Sequence, residues 1–289
     1  MNSASKTFAI IGGDKRQLYC ARQIADDGYE VILGGFDKVI SMRGVSLMSP
    51  ADAIDKADIV ILPLPCADKD GFIPAAFSDK KISLKDLELK LCPKRVFCGM
   101  KDKLFGFCDK LNPVLVSDYY EREDFVLSNA YVTAEGAISI AMDKFEGTLN
   151  GAKILVCGFG RIGKALTNLL RGFNPELTVS ARKPQDLAAI KLAGAKAVRT
   201  DELVNLDKFD IILSTVPAEI FTCGLLAKIA PDALLIDLAS GKGSVDYESA
   251  HRLQTDVVHA LSLPGKSAPK TAGKIIKDTV YTILEEEHW

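Results

Sequence analysis

Histidine is scarce in this chain of 289 residues: only His251, His259 and His288 occur, all towards the carboxyl end. Cysteine occurs seven times, an odd number, and no two stand at C-x-x-C spacing. Zinc sites need clustered thiolates and imidazoles, yet the one loose cluster, Cys92, Cys98 and Cys108, has no histidine near it. No metal site is therefore expected, and nothing supports a catalytic cysteine. The thiols lie mostly among apolar residues, where they read as buried and free. A charge excess is missing too, since 36 basic against 38 acidic residues leave a formal net charge of −2. With the two signs interspersed there is no basic face for nucleic acid and no acidic tail. The partner is then a small molecule or another protein. The opening MNSASKTFAIIGG has neither the charged start nor the long apolar run of a signal peptide, and no apolar run elsewhere reaches membrane-spanning length. The expectation is a cytoplasmic protein with no membrane partner.

What the chain does have is length for two cores and one organising stretch, Gly151 to Gly172. It reads as a buried strand (Lys153 to Cys157), a turn with Gly158, Gly160 and Gly163 at G-x-G-x-x-G spacing, and a helix with Ile162, Ala165, Leu166, Leu169 and Leu170 on one face. Pyrophosphate binding requires that order. Gly158 allows the tight turn, Gly160 lets the backbone approach the diphosphate, and Gly163 lets the helix pack closely on the strand. The unpaired N–H groups of the first helical turn, where Arg161 and Ile162 stand, then point at the anion. An NAD-preferring fold usually ends the next strand on an acid that holds the adenosine ribose. Here that strand ends on Ser180 and Arg182, a hydroxyl and a guanidinium, which suit a 2′-phosphate. NADP(H) is expected over NAD(H); a solvated loop arginine is the plainer account of Arg182.

The amino-terminal stretch repeats the order of strand (Thr7 to Ile11), turn, helix (to Asp27) and strand (Tyr29 to Leu33). Its turn does not suit a phosphate, because Gln17 stands where the third glycine would fall and Asp14 puts a carboxylate in the anion's place. Asp14 reads as the cap of its own helix. The functional alternative has the N–H groups of Gly12 and Gly13, with the Arg16 guanidinium, holding a substrate carboxylate. A short helix from about Ser49 follows, then a strand, Asp58 to Leu62, stopped by Pro63 and Pro65. The prolines end pairing and open a loop at the strand's carboxyl end, the edge where ligands bind in open α/β sheets. A helix over Ser83 to Leu91 and strands at Arg95 to Cys98 and Pro113 to Val116 are also expected. Residues 118–129 read as polar and partly helical. Thr133 reads as the N-cap of a connecting helix with Glu135 in its first turn, so that Asn129, Thr133 and Glu135 stand at the mouth of a cleft.

Beyond the glycine turn, strands at Ala195 to Val198, Asp210 to Val216, Ala233 to Leu238 and Asp256 to His259 alternate with helices. Runs of Val, Ile and Leu indicate strands covered on both faces and hence a parallel sheet. The loops after them, Thr215-Val216-Pro217-Ala218, Ala239-Ser240 to Gly243, and Ala260 to Gly265, should face the nicotinamide half of the cofactor. Lys270 to Glu287 reads as an amphipathic helix. The expected fold is α/β: two Rossmann-like domains with parallel sheets flanking a cleft. Residues 1–130 form a substrate domain, 131–150 a connecting helix and 151–268 the dinucleotide domain, while 269–289 pack back on the first.

Five stretches, IIGGDKRQ, NAYVTAEGAI, VCGFGRIGKAL, LIDLASGKGSVD and ALSLPGKSAPKTAG, run through the chain from about Phe8 to Leu284 and resemble the A-subunit family of dipicolinate synthase. The glycine fingerprint is generic; Gly12-Gly13-Asp14 with Arg16-Gln17, Thr133 to Gly136, and Leu263 to Thr271 are specific. Gly241 to Ser244 departs from the proline-glycine-glycine turn of that pattern. The resemblance implies an enzyme of endospore-forming bacteria, active in the mother cell during sporulation. With a flavoprotein-like B subunit it would make pyridine-2,6-dicarboxylate from 4-hydroxy-tetrahydrodipicolinate, a compound of the lysine pathway, by dehydration and oxidation with NADP⁺. A small cyclic dicarboxylate needs two anion cradles. Gly12, Gly13 and Arg16 are assigned one, and Asn129, Thr133, Ser240 and Lys242 are candidates for the other. Glu135 is the first choice of general base and Asp14 the second. The same plan is similar to that of D-2-hydroxyacid and alanine dehydrogenases, so a stand-alone dehydrogenase of a small hydroxy or amino acid is one alternative. A non-catalytic regulatory protein that binds the cofactor is another. A homo-oligomer is left open.

Overall fold

Runs such as Phe8 to Ile11 and Ile154 to Cys157 carry no polar side chain, so strands made from them must be covered on both faces. In the computed structural model, which describes Lys6–Trp289, they are central strands of two parallel six-stranded sheets. The chain divides into two units: residues up to Ser128 together with Ala268–Trp289, and Asn129–Ser267.

Unit 1 contains β1 (Thr7–Ile11), α1 (Lys15–Asp26), β2 (Glu30–Gly34), β3 (Val45–Met48), α2 (Pro50–Lys56), β4 (Ile59–Ile61), β5 (Phe72–Ile73), β6 (Ile82–Ser83), α3 (Leu84–Leu91), β7 (Arg95–Cys98), α4 (Lys101–Phe105) and β8 (Val116–Asp118). The sheet runs β3-β2-β1-β4-β7-β8, and β5 and β6 form a separate small hairpin. Ser49 and Ser83 cap α2 and α3 by accepting from the N–H groups of Asp52 and Asp86. The strand expected at Pro113 to Val116 starts later. Pro113–Leu115 is a 3-10 turn, since proline has no N–H to give a ladder, and pairing begins at Val116.

The carboxyl-terminal helix of unit 1, numbered α11 in chain order, is Pro269–Glu286. Its buried stripe of Ile276, Val280, Ile283 and Leu284 shares a core with Cys20, Ala21 and Ile24 of α1. Gly273 permits the close approach, because a Cβ there would stand 2.5 Å from the carbonyl oxygen of Arg16. Just past this helix, Glu287 reaches Arg95, which is only 1% exposed. Arg95 Nη2 lies 2.8 Å from both Glu287 oxygens, Nη1 donates to Leu115 O at 2.8 Å, and the guanidinium lies 4.4 Å from the centre of the Phe97 ring. A buried cation is tolerable only when its N–H groups are satisfied in this way.

The chain passes from the first unit to the second along α5, Glu123–Lys144. This helix begins well before the connecting helix expected at residue 131: Glu123 and Asp124 suit the positive end of a helix, and no proline or glycine intervenes until Gly136. Thr133 is accordingly not an N-cap. It lies in mid-helix, buried, with its hydroxyl donating to Asn129 O at 2.8 Å, and Glu135 is not in a first turn. By length and composition α5 could cross a membrane, with a mean hydropathy of 1.2 in its most apolar window. Ala134, Ala137, Ile138 and Ala141 are nonetheless buried in the core of unit 2, as in the core helix of a globular protein.

Unit 2 continues with β9 (Lys153–Cys157), α6 (Arg161–Leu170), β10 (Glu176–Ala181), α7 (Pro184–Leu192), β11 (Lys196–Arg199), β12 (Ile211–Ser214), α8 (Cys223–Leu226), β13 (Leu234–Asp237), α9 (Tyr247–Arg252), β14 (Val257–His259) and α10 (Leu263–Ser267). Its sheet order is β11-β10-β9-β12-β13-β14. The Leu263 to Gly265 segment, expected as part of a loop, opens the short helix α10, and His259 ends β14.

Replacing Glu287 with Ala is expected to destabilise the chain by about 2 kcal/mol, less than a fully buried pair would cost because the carboxylate is partly solvated. The shift in the urea unfolding midpoint measures it.

Candidate dinucleotide site

The turn between β9 and α6 is shaped by what its glycines exclude. Gly158 has φ +95°, and its N–H donates to Ser180 O at 3.1 Å; a Cβ there would stand 2.6 Å from Thr215 Oγ1. At Gly163 a Cβ would collide with the carbonyl of Gly158, so only glycine lets α6 sit this close to the strand end. Gly160 differs, because a Cβ there would meet nothing within 4 Å. It is the N-cap of α6, with no side-chain capping bond and no acid in the first turn. The positive end of the α6 dipole is therefore not met by a capping side chain, and the space beside Gly160 is open.

That space is a pocket of about 570 Å³ lined by Gly158, Phe159, Gly160, Lys164, Ala181, Arg182, Lys183, Asp186, Thr200 and the segment Thr215 to Ile220. Three cations, Lys164, Arg182 and Lys183, share it with two carboxylates, Asp186 and Glu219. The expected cofactor residues Gly158, Gly160, Arg182, Thr215, Val216 and Pro217 are thus brought together. The fit to a dinucleotide is good: an uncapped helix start, room over Gly160, and basic side chains where the ribose end of the cofactor would lie.

Several expected residues are placed differently. Ser180 is fully buried, and its hydroxyl accepts from Thr200 Oγ1 at 3.2 Å and from Gly158 N at 3.4 Å. It holds the turn and does not line the pocket, because its hydroxyl is taken up by Gly158 and Thr200 inside the sheet, while Arg182, just past the strand end, reaches the rim. Lys164, Lys183 and Thr200 were missed; a lysine beside Arg182 in the sequence was the available signal. The Ile162 side chain packs on the core, and Arg161 opens α6. Neither side chain lines the pocket.

The loop after β13 is organised by Asp237, a residue that side-chain patterning does not single out. It is fully buried and accepts from Ala239 N at 3.0 Å, Ser244 N at 2.8 Å, Ser244 Oγ at 2.9 Å and Tyr247 Oη at 2.8 Å. These four donors, with no cation, satisfy the carboxylate. Burial and the bond to Asp237 push the Tyr247 phenol well above its ordinary pKa. Gly243 has φ +80°, and a Cβ there would stand 2.5 Å from Asp237 Oδ2. The Ala239 N–H is thereby spent, while Ser240 and Lys242 are exposed on the loop. The glycine pair Gly241 and Gly243 was the visible sign of a backbone wrapped around something.

In unit 1 the corresponding turn is closed. The Asp14 carboxylate accepts from Arg16 N at 2.9 Å, and Gln17 Oε1 accepts from Asp14 N at 2.9 Å, a reciprocal capping box. The cradle expected of Gly12 and Gly13 is not available from their N–H groups, which donate to Gly34 O and Pro74 O at 2.9 and 2.5 Å. Arg16 lies against Asp14. Glu135 is exposed on α5, and Asn129 is half-buried.

Fold and site together define the class: an α/β protein of two parallel-sheet units, the second built as a Rossmann dinucleotide domain. Residues 124–262 match the NAD-binding domain of D-isomer specific 2-hydroxyacid dehydrogenases, which marks an oxidoreductase and a nicotinamide dinucleotide, and residues 7–117 match the N-terminal domain of the dipicolinate synthase A subunit. The A subunit of dipicolinate synthase from Bacillus subtilis (strain 168) is 30% identical over 96% of each chain. The crystal structure of the same subunit from Bacillus halodurans superposes with a TM-score of 0.86 at 28% identity, over 96% of this chain and 97% of that one. D-lactate dehydrogenase from Escherichia coli, at 12% identity, shares the fold alone, with a TM-score of 0.57 over 98% of this chain and 97% of that one. The chain belongs to the A-subunit family of dipicolinate synthase.

Gly160→Ala is expected to leave the unfolding midpoint unchanged yet weaken dinucleotide binding by tenfold or more, because the new methyl meets only the bound diphosphate. Gly163→Ala should lower both, because it displaces the turn itself. Calorimetric titration beside thermal melts distinguishes them.

Proposed function

We propose that this chain oxidises 4-hydroxy-tetrahydrodipicolinate to pyridine-2,6-dicarboxylate with NADP⁺ in the sporulating mother cell, in partnership with a B subunit. The observation that carries the reading is the uncapped start of α6 over an open pocket with Lys164, Arg182 and Lys183 at its rim, in a chain of this family. The conversion loses one water and one hydride with a proton, and ends on an aromatic ring. A nicotinamide dinucleotide, when bound, supplies the hydride acceptor.

The chain's own residues bind and orient. Gly158, Gly160 and the first turn of α6 would hold the diphosphate. Arg182 and Lys183, with no acid taking the ribose hydroxyls at the end of β10, would favour a 2′-phosphate. Thr215, Val216 and Pro217 form the wall of the pocket at the end of β12. Arg16 is the proposed holder of one ring carboxylate, and Asn129, Ser240 and Lys242 are the candidates for the other. Glu135, exposed on α5, is the proposed base.

The purified chain, with and without the B subunit, should reduce NADP⁺ and generate pyridine absorbance from the hydroxylated substrate. Turnover of a simple hydroxy acid without the partner would replace this reading by a stand-alone dehydrogenase. Arg182→Ala combined with Lys183→Ala should weaken NADP⁺ by about tenfold and leave NAD⁺ within about twofold; equal losses for both cofactors would remove the 2′-phosphate assignment. Glu135→Gln should lower kcat by about a hundredfold, and full turnover would deny it the role of base.

A further inference from the structure

Arg16 is gripped from one side. Nε donates to both Asp14 oxygens at 3.0 and 3.1 Å, and Nη2 donates to Asp14 Oδ2 and to the carbonyl oxygen of Leu64, each at 3.0 Å. Three of the five guanidinium N–H groups are thereby spent, and the two on Nη1 have no partner among the described residues. Asp14 is committed to the same residue: three N–H groups of Arg16 reach its carboxylate, the backbone N–H on Oδ1, one Nη2 hydrogen on Oδ2, and the Nε hydrogen shared between the two oxygens. The same turn holds another unspent donor. Gln17 is fully buried, its Oε1 takes the Asp14 N–H, and its Nε2 has no partner. A turn short of acceptors and rich in open donors awaits an oxygen, not a proton to remove.

We infer that Asp14 is a positioning residue, which aims Arg16 so that Nη1 takes a single oxygen of one substrate carboxylate. This rests on the proposal that the substrate is a ring dicarboxylate. It also gives the Asp14 carboxylate a role other than that of a base, since three N–H groups of Arg16 already hold its two oxygens. Because Nη2 is bound to Asp14 and Leu64, the side-by-side pairing of both Nη atoms with a carboxylate is closed to Arg16. Recognition there is by one oxygen, with orientation supplied by Asp14.

The test is calorimetric titration of pyridine-2,6-dicarboxylate into the full-length chain with saturating NADP⁺, for wild type, Asp14→Asn, Arg16→Ala and the double variant. Asparagine caps a helix as well as aspartate does, so the melting temperature should hold. Its amide, however, sets N–H against the Arg16 N–H groups and releases the side chain. Asp14→Asn should weaken the dicarboxylate by about tenfold and Arg16→Ala by about a hundredfold. The double variant should be no worse than Arg16→Ala, because Asp14 acts only through Arg16. NADP⁺ affinity should not move, and in turnover Asp14→Asn should raise KM for the dicarboxylate substrate while kcat stays within about twofold. Should Asp14→Asn misfold, Asp14→Ser keeps a cap without the clamp and should lose affinity alike. Wild-type affinity in a folded Asp14 variant, additive losses in the double, or a collapse of kcat at constant KM would each overturn the inference. A wild-type chain that fails to bind the dicarboxylate at all would take down the proposed substrate and this inference together. That result is distinct from one in which wild type and Asp14→Asn bind equally.

Discussion

Two helices in this chain follow a glycine turn at the carboxyl end of a central parallel strand, and they differ in what meets their first N–H groups. At α1 the Asp14 carboxylate and the Gln17 amide close the turn reciprocally. At α6 the N-cap is Gly160, no side chain intervenes, and a pocket opens above it. An N-cap bond is worth about 1 kcal/mol to a helix. A chain that leaves α6 without one accepts that loss where an anion restores it. The same supersecondary unit is thus built twice, once sealed and once open, and the proposed division between substrate and cofactor follows from that single difference.

The buried charges repeat the theme of donors assigned in advance. Arg95 is held by a carboxylate, a carbonyl and an aromatic face, and fastens the residue after α11 to β7, next to the edge strand β8 of unit 1. Asp237 has no cation and collects four N–H and O–H groups from the loop that follows it. A charge inside a protein is stable only when its hydrogen-bonding capacity is filled, so each of these residues dictates the path of the backbone around it. The Asp237 loop carries Ser240 and Lys242 on its outside; the shape of that loop is set by a residue that would never touch a ligand.

Much of this was readable before folding. Apolar runs located the central strands of both sheets, though not the edge strand β3 or the short β5–β6 hairpin; the serines at 49 and 83 marked two helix starts, and the spacing of Gly158, Gly160 and Gly163 identified the dinucleotide turn. Elsewhere local pattern misled. Thr133 has the chemistry of a cap, but the helix had already begun at Glu123, and a threonine inside a helix bonds back to the carbonyl four residues earlier. Ser180 looked like a ribose contact because it falls at the right distance along the chain, whereas it is buried within the strand and its hydroxyl is taken by Gly158 and Thr200.

The sequence by itself determined the two parallel sheets, the glycine turn and the absence of an acid at the end of β10, because these depend on side-chain periodicity and on which positions tolerate a Cβ. Only the tertiary structure decided which hydrogen-bonding groups are left unspent. The N–H groups of Gly12 and Gly13 are consumed by Gly34 and Pro74, Asp14 is engaged by Arg16, and Asp237 is filled by its own loop. Partners of that kind come from segments distant in sequence or from a backbone path, and neither is written in the order of the residues.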